Sequence, residues 1–286
     1  MTAISGRSCR RTLLSSIRRQ PAGSRSSRRE RLDSGQRAKP RADGFPRAKR
    51  VRRIIAASPL PRGKRGADVL LILLALPVVI LLVLALYGWV KRVSPGNFVF
   101  RQCRIGHGGQ PFTMYKIRTM KPDAAGSIHD AHVDRLIRTR QPMKKLDLIG
   151  DTRLIKGGWI IRMSGLDELP QLINVLRGEM SLVGPRPCLP NEFPLYDADQ
   201  CIRFAVQPGL TGIWQVDRTD TTTFSEMAGM DVAYVERLSP WSDLKIILKT
   251  PVALFRQIAG CARCRVRNAA MRPFVPSALS LSAARK

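Results

Sequence analysis

Acidic and aromatic residues are scarce in this 286-residue sequence, and both shortages narrow its possible functions. Only 21 aspartates and glutamates oppose 49 lysines and arginines, which gives a net charge of +28. Residues 1–66 hold 20 of the basic residues and three of the acidic ones. Large apolar residues are also rare there, so we predict that residues 1–63 form a disordered basic arm that buries no core.

The arm has one aromatic residue, Phe45. It therefore lacks the stacked aromatic platform that single-stranded nucleic-acid binders use. Nucleic acid, anionic lipid and no specific partner are all compatible with its charge alone. The hydrophobic run that follows favours lipid, because basic clusters beside such a run are attracted to an anionic leaflet. No apolar stretch lies near Met1, so we do not expect a secretory signal, and a chain start placed too far upstream is a further alternative.

Cysteine and histidine are too few and too scattered to predict a zinc site. The six cysteines form no compact framework, which suits a reducing cytosol. Cys261 and Cys264 have CxxC spacing but lack a second pair, and we interpret them as incidental. His129 and His132 lack a third ligand at a fixed offset, so a solvated loop is the preferred interpretation of their segment.

One uncharged stretch, residues 69–90, is long enough to cross a bilayer as a helix. Pro77 lies within it and is expected to kink or break the helix. Basic residues flank both ends, and a single crossing cannot place both flanks on the cytoplasmic side. We therefore predict that residues 64–95 form a re-entrant membrane helix that enters and leaves by one face.

The remaining sequence predicts a mainly helical α+β protein with a small β-hairpin. Its catalytic unit would span residues 96–258 with interfacial helices, and residues 259–286 would be a disordered tail. The hairpin is expected near residues 98–100 and 112–117. Apolar spacing predicts a short helix over 168–177, and a strand is expected over 213–216. Residues 241–258 read as one or two amphipathic helices, which could complete the core or lie at a membrane interface.

Two adjacent carboxylates, Asp167 and Glu168, open the short helix, and a turn with Arg186 follows within twenty residues. Such acids could hold a metal ion while the arginine binds an anionic substrate. A purely structural role is equally compatible with the spacing. Asp167 would then be a helix N-cap, and Glu168 a first-turn acid favoured by the helix dipole.

Five blocks of sequence, taken in order, resemble the bacterial sugar transferase family of monotopic polyprenyl-phosphate hexose-1-phosphate transferases. Besides the Pro-interrupted membrane helix, they comprise FRQCRIGHGGQPF with YKIRTM, LDELPQLINVLRGEMSLVGPRP, PGLTGIWQV and DVAYVERLSPWSDLKIILKT. The similarity runs from about Lys64 to Arg256. Longer members carry extra N-terminal membrane helices and a further domain, so this sequence resembles the small form.

The resemblance implies transfer of a sugar 1-phosphate from a nucleotide-sugar donor to polyprenyl phosphate. It implies that Asp167 is the nucleophile, that Glu168 completes the dyad, and that Mg²⁺ is bound there. Arg162, Arg186 and, less strongly, Arg218 match positions suited to binding phosphate. The partners would be donor, acceptor and membrane lipids, with no nucleic acid. The expected location is the bacterial inner membrane, with the catalytic unit facing the cytoplasm.

Three positions depart from the family pattern, namely Gly165, Gln207 and Asp217. Gly165 is expected to loosen the approach to the dyad, and the other two to alter the anion pocket. No catalytic residue is replaced, so we expect an active enzyme. A catalytically silent scaffold of a polysaccharide assembly complex and a membrane-tethered nucleic-acid binder are the alternatives.

Overall fold

The computed structural model describes residues 63–121, 141–142, 153–217, 219 and 221–270. The predicted basic arm and the segment with His129 and His132 lie outside these residues, so no structure is given for them. The longer helices are α1 (Lys64–Val93), α2 (Gly158–Met163), α3 (Leu172–Leu176), α4 (Ile213–Asp217), α5 (Phe224–Glu236) and α6 (Pro240–Ala270). The strands are β1 (Val99–Ile105), β2 (Pro111–Ile117), β3 (Ser181–Val183) and β4 (Gly209–Thr211). This mixture confirms the expected α+β composition.

Helix α1 is the one helix in the described part of the chain that is long and apolar enough to cross a membrane. It continues through Pro77 rather than breaking there, so the expected break is wrong. Its first turns are buried against the rest of the protein at Asp68 and Ile72, and its last turns at Val90. The residues between are largely exposed, as at Leu74, where the exposed fraction is 70%.

Polar contacts hold the start of α1. The Asp68 carboxylate accepts hydrogen bonds from the Ser181 hydroxyl at 2.7 Å and from the Leu182 amide at 3.3 Å. Lys64 forms an ion pair with Asp243 of α6. The Arg65 guanidinium donates to the carbonyl oxygens at the end of α3, including that of Leu176 at 2.6 Å. Carbonyls at a helix C-terminus lack intrahelical partners, so this arginine satisfies them.

The predicted hairpin is confirmed. Strands β1 and β2 pair antiparallel with Val99 opposite Ile117 and Ile105 opposite Pro111. A short 3₁₀ turn, His107–Gly109, connects them, and Gly108 and Gly109 adopt positive φ there. Cys103 of β1 is disulfide-bonded, in contrast to the expectation that the cysteines are reduced. The hairpin presents Arg104 and Lys116 toward the candidate site described below.

The acidic segment folds differently from the prediction. A 3₁₀ helix, Leu166–Gln171, precedes α3, and its N-cap is Gly165. Asp167 therefore lies inside the turn, and the capping role considered for it is wrong. Gly165 has φ +71°, a conformation that favours glycine. The departure from the family pattern at Gly165 is thus a requirement of the local backbone. Gly178, with φ +79°, ends the helical segment.

A second, parallel pair of strands joins the Gly-Pro-Arg-Pro turn to the Pro-Gly-Leu-Thr-Gly turn. Ser181 lies opposite Gly209, and Val183 opposite Thr211. A Cβ at Gly184 would lie 2.5 Å from the Gln207 carbonyl oxygen, so only glycine allows this approach. The strand expected over 213–216 is wrong: helix α4 occupies that position, because the amides of Gln215 and Val216 bond back to the Gly212 carbonyl.

Helices α5 and α6 close the fold. A capping box between Thr223 and Glu226 starts α5. Helix α6 contains Pro251 and continues to Ala270, so the predicted tail boundary at residue 259 falls within a helix. Its inner face contributes Ile246 to a buried cluster with Val183, Val206 and Tyr234. The side chains of Cys261 and Cys264 lie outside the described part of the structure.

Candidate active site

The carboxylate dyad lies where the 3₁₀ helix packs against strand β2. Asp167 is buried, with 6% of its surface exposed, and Glu168 is half-buried. Lys116 of β2 forms an ion pair with Glu168 at 3.0 Å. The sequence did not predict this ion pair, because the two residues are 52 positions apart. The fold thus supplies a cation directly beside the dyad.

Asp167 and Glu168 are ligands of the type that a magnesium ion takes. Mg²⁺ is usually bound by one or two carboxylates, with substrate phosphates and water completing its octahedron. Asp167 and Glu168 provide that number of carboxylates in adjacent positions. Among the described residues, no group of three or more potential ligands from His, Cys, Asp and Glu occurs. A metal held here would therefore depend on phosphate oxygens for part of its coordination.

A buried cluster of arginines lies next to the dyad, around the Gly-Pro-Arg-Pro turn. Arg104 of β1 donates to the Pro187 carbonyl oxygen at 3.2 Å and to Gln102 at 2.9 Å. Burial, followed by the positive charge of Arg186, lowers the pKa of Arg104 to about 10, while Glu168 acts in the opposite direction. The hairpin therefore contacts both parts of the site, the turn through Arg104 of β1 and the dyad through Lys116 of β2.

Arg186 projects from the turn and remains partly exposed, with 22% of its side chain accessible. Its Nη1 atom lies 3.4 Å from Oε1 of Glu192. Burial opposes ionisation of Arg186, but Glu192 together with Tyr196 and Cys188 raises the arginine's pKa. Burial likewise opposes ionisation of Glu192, yet Arg186 and Arg104 lower the pKa of this acid. Both groups are consequently charged at neutral pH.

Two further residues, Arg162 and Arg218, were predicted to bind phosphate. Arg162 lies near the end of α2, half-buried, on the helix that leads into the dyad turn. Arg218 lies outside the described residues, so its role stays a prediction. Glu192, Arg203 and Asp231 belong to the same cluster but were missed, because isolated charged residues have no distinguishing sequence spacing. The site as a whole combines a buried carboxylate, a second carboxylate beside a lysine, and a positively charged turn suited to phosphate.

The family model described as bacterial sugar transferase matches residues 61–257. The exopolysaccharide production protein ExoY of Sinorhizobium fredii is 36% identical over 187 residues, which cover 65% of this chain and 83% of ExoY. The UDP-glucose:undecaprenyl-phosphate glucose-1-phosphate transferase of Caulobacter vibrioides is 39% identical over 218 residues, covering 68% of this chain and 73% of that protein. The galactosyl transferase CpsE of Streptococcus agalactiae is 41% identical over 160 residues. Those residues cover 56% of this chain but only 35% of CpsE.

Proposed function

The chain belongs to the bacterial sugar transferase family, and from that premise we propose that it transfers a sugar 1-phosphate from a nucleotide sugar to polyprenyl phosphate. The names of two relatives support this general reaction: one is a UDP-glucose:undecaprenyl-phosphate glucose-1-phosphate transferase, and the other is an undecaprenyl-phosphate galactose phosphotransferase. The observation that carries the proposal for this chain is the buried Asp167 beside Glu168, next to the arginine turn. A UDP-sugar donor and a role at the start of exopolysaccharide assembly follow from the same relatives.

We propose a reaction in two displacements. A carboxylate oxygen of Asp167 attacks the phosphorus that carries the sugar, and the bond from that phosphorus to the nucleoside monophosphate breaks. An oxygen of polyprenyl phosphate then attacks the same phosphorus. The bond to Asp167 breaks, so the carboxylate returns and the sugar is joined to the lipid through a diphosphate.

Positive charge beside the dyad makes this chemistry reasonable. Carboxylate, donor and acceptor are all anionic, so their mutual repulsion must be offset at the transferring phosphoryl group. Arg186 and Lys116 provide positive charge, and both side chains are partly buried, where electrostatic interactions are stronger than in water. Magnesium, when bound at Asp167 and Glu168, supplies further neutralisation of phosphoryl oxygens.

Turnover tests the function directly. Membranes containing the protein, Mg²⁺, polyprenyl phosphate and a panel of nucleotide sugars should release UMP. Asp167→Asn should abolish release and Glu168→Gln should reduce it severely, whereas Glu236→Gln, which alters an exposed carboxylate at the end of α5, should leave it unchanged. Full turnover by Asp167→Asn would overturn the assignment of the nucleophile. Absence of turnover in the unmodified protein with every donor would favour the scaffold alternative.

We also propose that α1 enters and leaves the membrane by one face, with the catalytic unit on the cytoplasmic side of the inner membrane. Its two ends contact the same unit, through Asp68 at the start and Val90 near the end, while the apolar middle is exposed. A thiol reagent that does not cross membranes should label Gly66→Cys and Asn97→Cys from the same side. Labelling from opposite sides would support a single crossing instead.

Helix α6 offers a second membrane contact. An apolar stripe on its outer face comprises Trp241, Leu244, Leu248, Val252 and Phe255, all exposed. Their spacing of three or four residues places them on one side of the helix. Lys245 and Arg256 lie beside the stripe and are exposed as well. An apolar face with basic flanks is typical of a helix lying in the headgroup region, so we propose that α6 rests on the membrane surface.

A further inference from the structure

Three charged residues behind Arg186 are almost completely buried: the exposed fractions of Glu192, Arg203 and Asp231 are 0%, 1% and 1%. Burying a charge is costly unless it is paired, so such residues require an explanation. Each of the three contacts Arg186 itself or a group that holds it. They come from separate segments, with Glu192 before one 3₁₀ helix, Arg203 in the next (Gln200–Ala205) and Asp231 in α5.

Arg203 and Asp231 hold the backbone of Arg186. One nitrogen of Arg203 donates to the Arg186 carbonyl oxygen at 2.7 Å and also lies 2.6 Å from the Asp231 carboxylate. The Arg203 guanidinium stacks over the ring of Tyr196, 4.7 Å from its centroid. The Arg186 backbone in turn hydrogen-bonds to the Asp231 carboxylate. A planar guanidinium can make these contacts together, whereas the ammonium group of a lysine cannot.

Glu192 holds the side chain of Arg186. One carboxylate oxygen faces the Arg186 guanidinium at 3.4 Å, and the other accepts a hydrogen bond from the Leu189 amide at 2.8 Å. The second bond fixes the carboxylate, which therefore restricts the arginine from its buried side. A free arginine side chain populates many rotamers and loses this conformational entropy when it is fixed. If the side chain is restricted before a ligand arrives, less conformational entropy is lost when the ligand binds.

The charges of the cluster do not cancel. Arg104, Arg186 and Arg203 oppose two carboxylates, Glu192 and Asp231, which leaves one positive charge in excess. Arg104 and Arg203 are buried, while part of the Arg186 side chain reaches the surface. Arg186 is therefore the member of this net positive cluster that a ligand can reach, and an anionic group such as a phosphate complements the charge.

We propose that Glu192, Arg203 and Asp231 are positioning residues that orient Arg186 for the diphosphate of the donor. This inference rests on the proposed function, because that function supplies a diphosphate substrate. It assigns these residues no contact with the substrate. Their removal should therefore weaken donor binding only as long as Arg186 is present.

A double-mutant cycle tests this dependence. In the unmodified background, Glu192→Gln should raise the KM for UDP-glucose by about tenfold, as expected for impaired orientation of one charge-assisted contact, with little change in kcat. In the Arg186→Gln background the same substitution should change KM less than twofold. An equal rise in both backgrounds would overturn the proposal and leave Glu192 with a structural role only.

A second cycle covers the case in which Glu192→Gln fails to fold. Arg203→Lys keeps the positive charge opposite Asp231 but loses the simultaneous bond to the Arg186 carbonyl. It should raise KM in the unmodified background and have no further effect beside Arg186→Gln. Equal effects in both backgrounds would again reject positioning.

Calorimetric binding of UDP-glucose to the same proteins separates this proposal from the proposed function. Absence of turnover in the unmodified protein would count against the function. Positioning would still be supported if Glu192→Gln and Arg203→Lys raise the Kd for UDP-glucose only when Arg186 is present. Equal changes in Kd with and without Arg186 would contradict it.

Discussion

At the scale of single residues, three glycines determine how the arginine turn is built. A Cβ at Gly184 would lie 2.5 Å from the Gln207 carbonyl oxygen, one at Gly209 would lie 2.1 Å from the Gly184 amide, and one at Gly212 would lie 2.3 Å from the Gly184 carbonyl oxygen. The two turns therefore pack backbone against backbone. Bonds from Gly184 N to Thr211 O and from Gly209 N to Pro185 O, at 2.9 Å and 2.8 Å, complete the contact.

Gly184→Ala should therefore destabilise the protein by roughly 2 kcal/mol or more, because backbone atoms cannot move away as a flexible side chain would. It should also lower turnover, since the shifted turn carries Arg186. Thermal unfolding in detergent measures the first effect, and UMP release the second. Gly229→Ala is the matched control: this helical glycine of α5 has open space around it, so alanine should stabilise by about 0.5–1 kcal/mol. Equal melting temperatures for the two variants would contradict the packing argument.

Glu192 should make stability depend on acid pH. Its pKa in the folded protein lies below the ordinary value of 4.5: burial opposes this, but Arg186, Arg104 and the Leu189 amide outweigh burial. An acid whose pKa is lowered by folding stabilises the native state above its unfolded pKa, and that contribution disappears as pH falls through the folded value. The difference in melting temperature between the unmodified protein and Glu192→Gln should therefore be largest near neutral pH and shrink below about pH 4.5. A difference that does not change with pH would show that the carboxylate charge is not involved.

The sequence singled out Asp167, Glu168 and Arg186 as candidate site residues because each lies in a dense, ordered motif, and their roles stay predictions. It missed Glu192 and Arg203 because their roles depend on contacts, not spacing. Arg203 reaches the Arg186 carbonyl across 17 positions and Asp231 in another helix. A charged residue that is buried by contacts with distant segments has no recognisable pattern in the neighbouring sequence. Its contacts could therefore be found only in the structure.

At the scale of elements, the sequence pattern predicted those helices and strands that form through contacts between residues close together in the chain. The β-hairpin was found because turn glycines separate two apolar stretches. The helix at Ile213–Asp217 was mistaken for a strand because its five residues carry no helical period, and its first hydrogen bonds start from the Gly212 carbonyl. The parallel pairing of β3 with β4 joins segments more than twenty residues apart, and neither segment's own sequence predicts this pairing.

The attachment of α1 can be tested at its start. Asp68→Ala would leave the Ser181 hydroxyl and the Leu182 amide without their carboxylate partner. The cost should be about 1–3 kcal/mol, as for other buried polar groups that lose a partner. Melting temperature in detergent measures it. Asp217→Ala removes an ion pair to Lys249 in which both side chains are about half exposed, and should cost less than about 1 kcal/mol. A larger loss for Asp217→Ala would show that α1 is held by other contacts.

At the scale of the whole molecule, the exposed apolar surface of the described residues is concentrated in two places. One is the middle of α1, with Leu81 and Leu84 more than 60% exposed, and the other is the outer stripe of α6, with Trp241 and Phe255 above 70%. Extended apolar patches on a folded surface mark contact with another apolar phase. Lys64 and Asp243 join the start of α1 to the start of α6, so one lipid surface could cover both. The sequence predicted each segment but not this junction.

Contact of α6 with lipid predicts which tryptophan is quenched by brominated acyl chains. Trp241 is 73% exposed on the stripe, whereas Trp214 is 7% exposed within the core. In nanodiscs, Trp241→Phe should remove emission that brominated lipid quenches, while Trp214→Phe should remove emission that it does not. Each large apolar side chain that inserts fully should contribute about 1.5–3 kcal/mol. Replacing Leu248 and Phe255 by glutamate should therefore abolish the quenching of Trp241 and leave the melting temperature nearly unchanged, since both side chains are exposed. Unquenched Trp241 in the unmodified protein would mean that α6 faces water and that α1 alone holds the catalytic unit at the membrane.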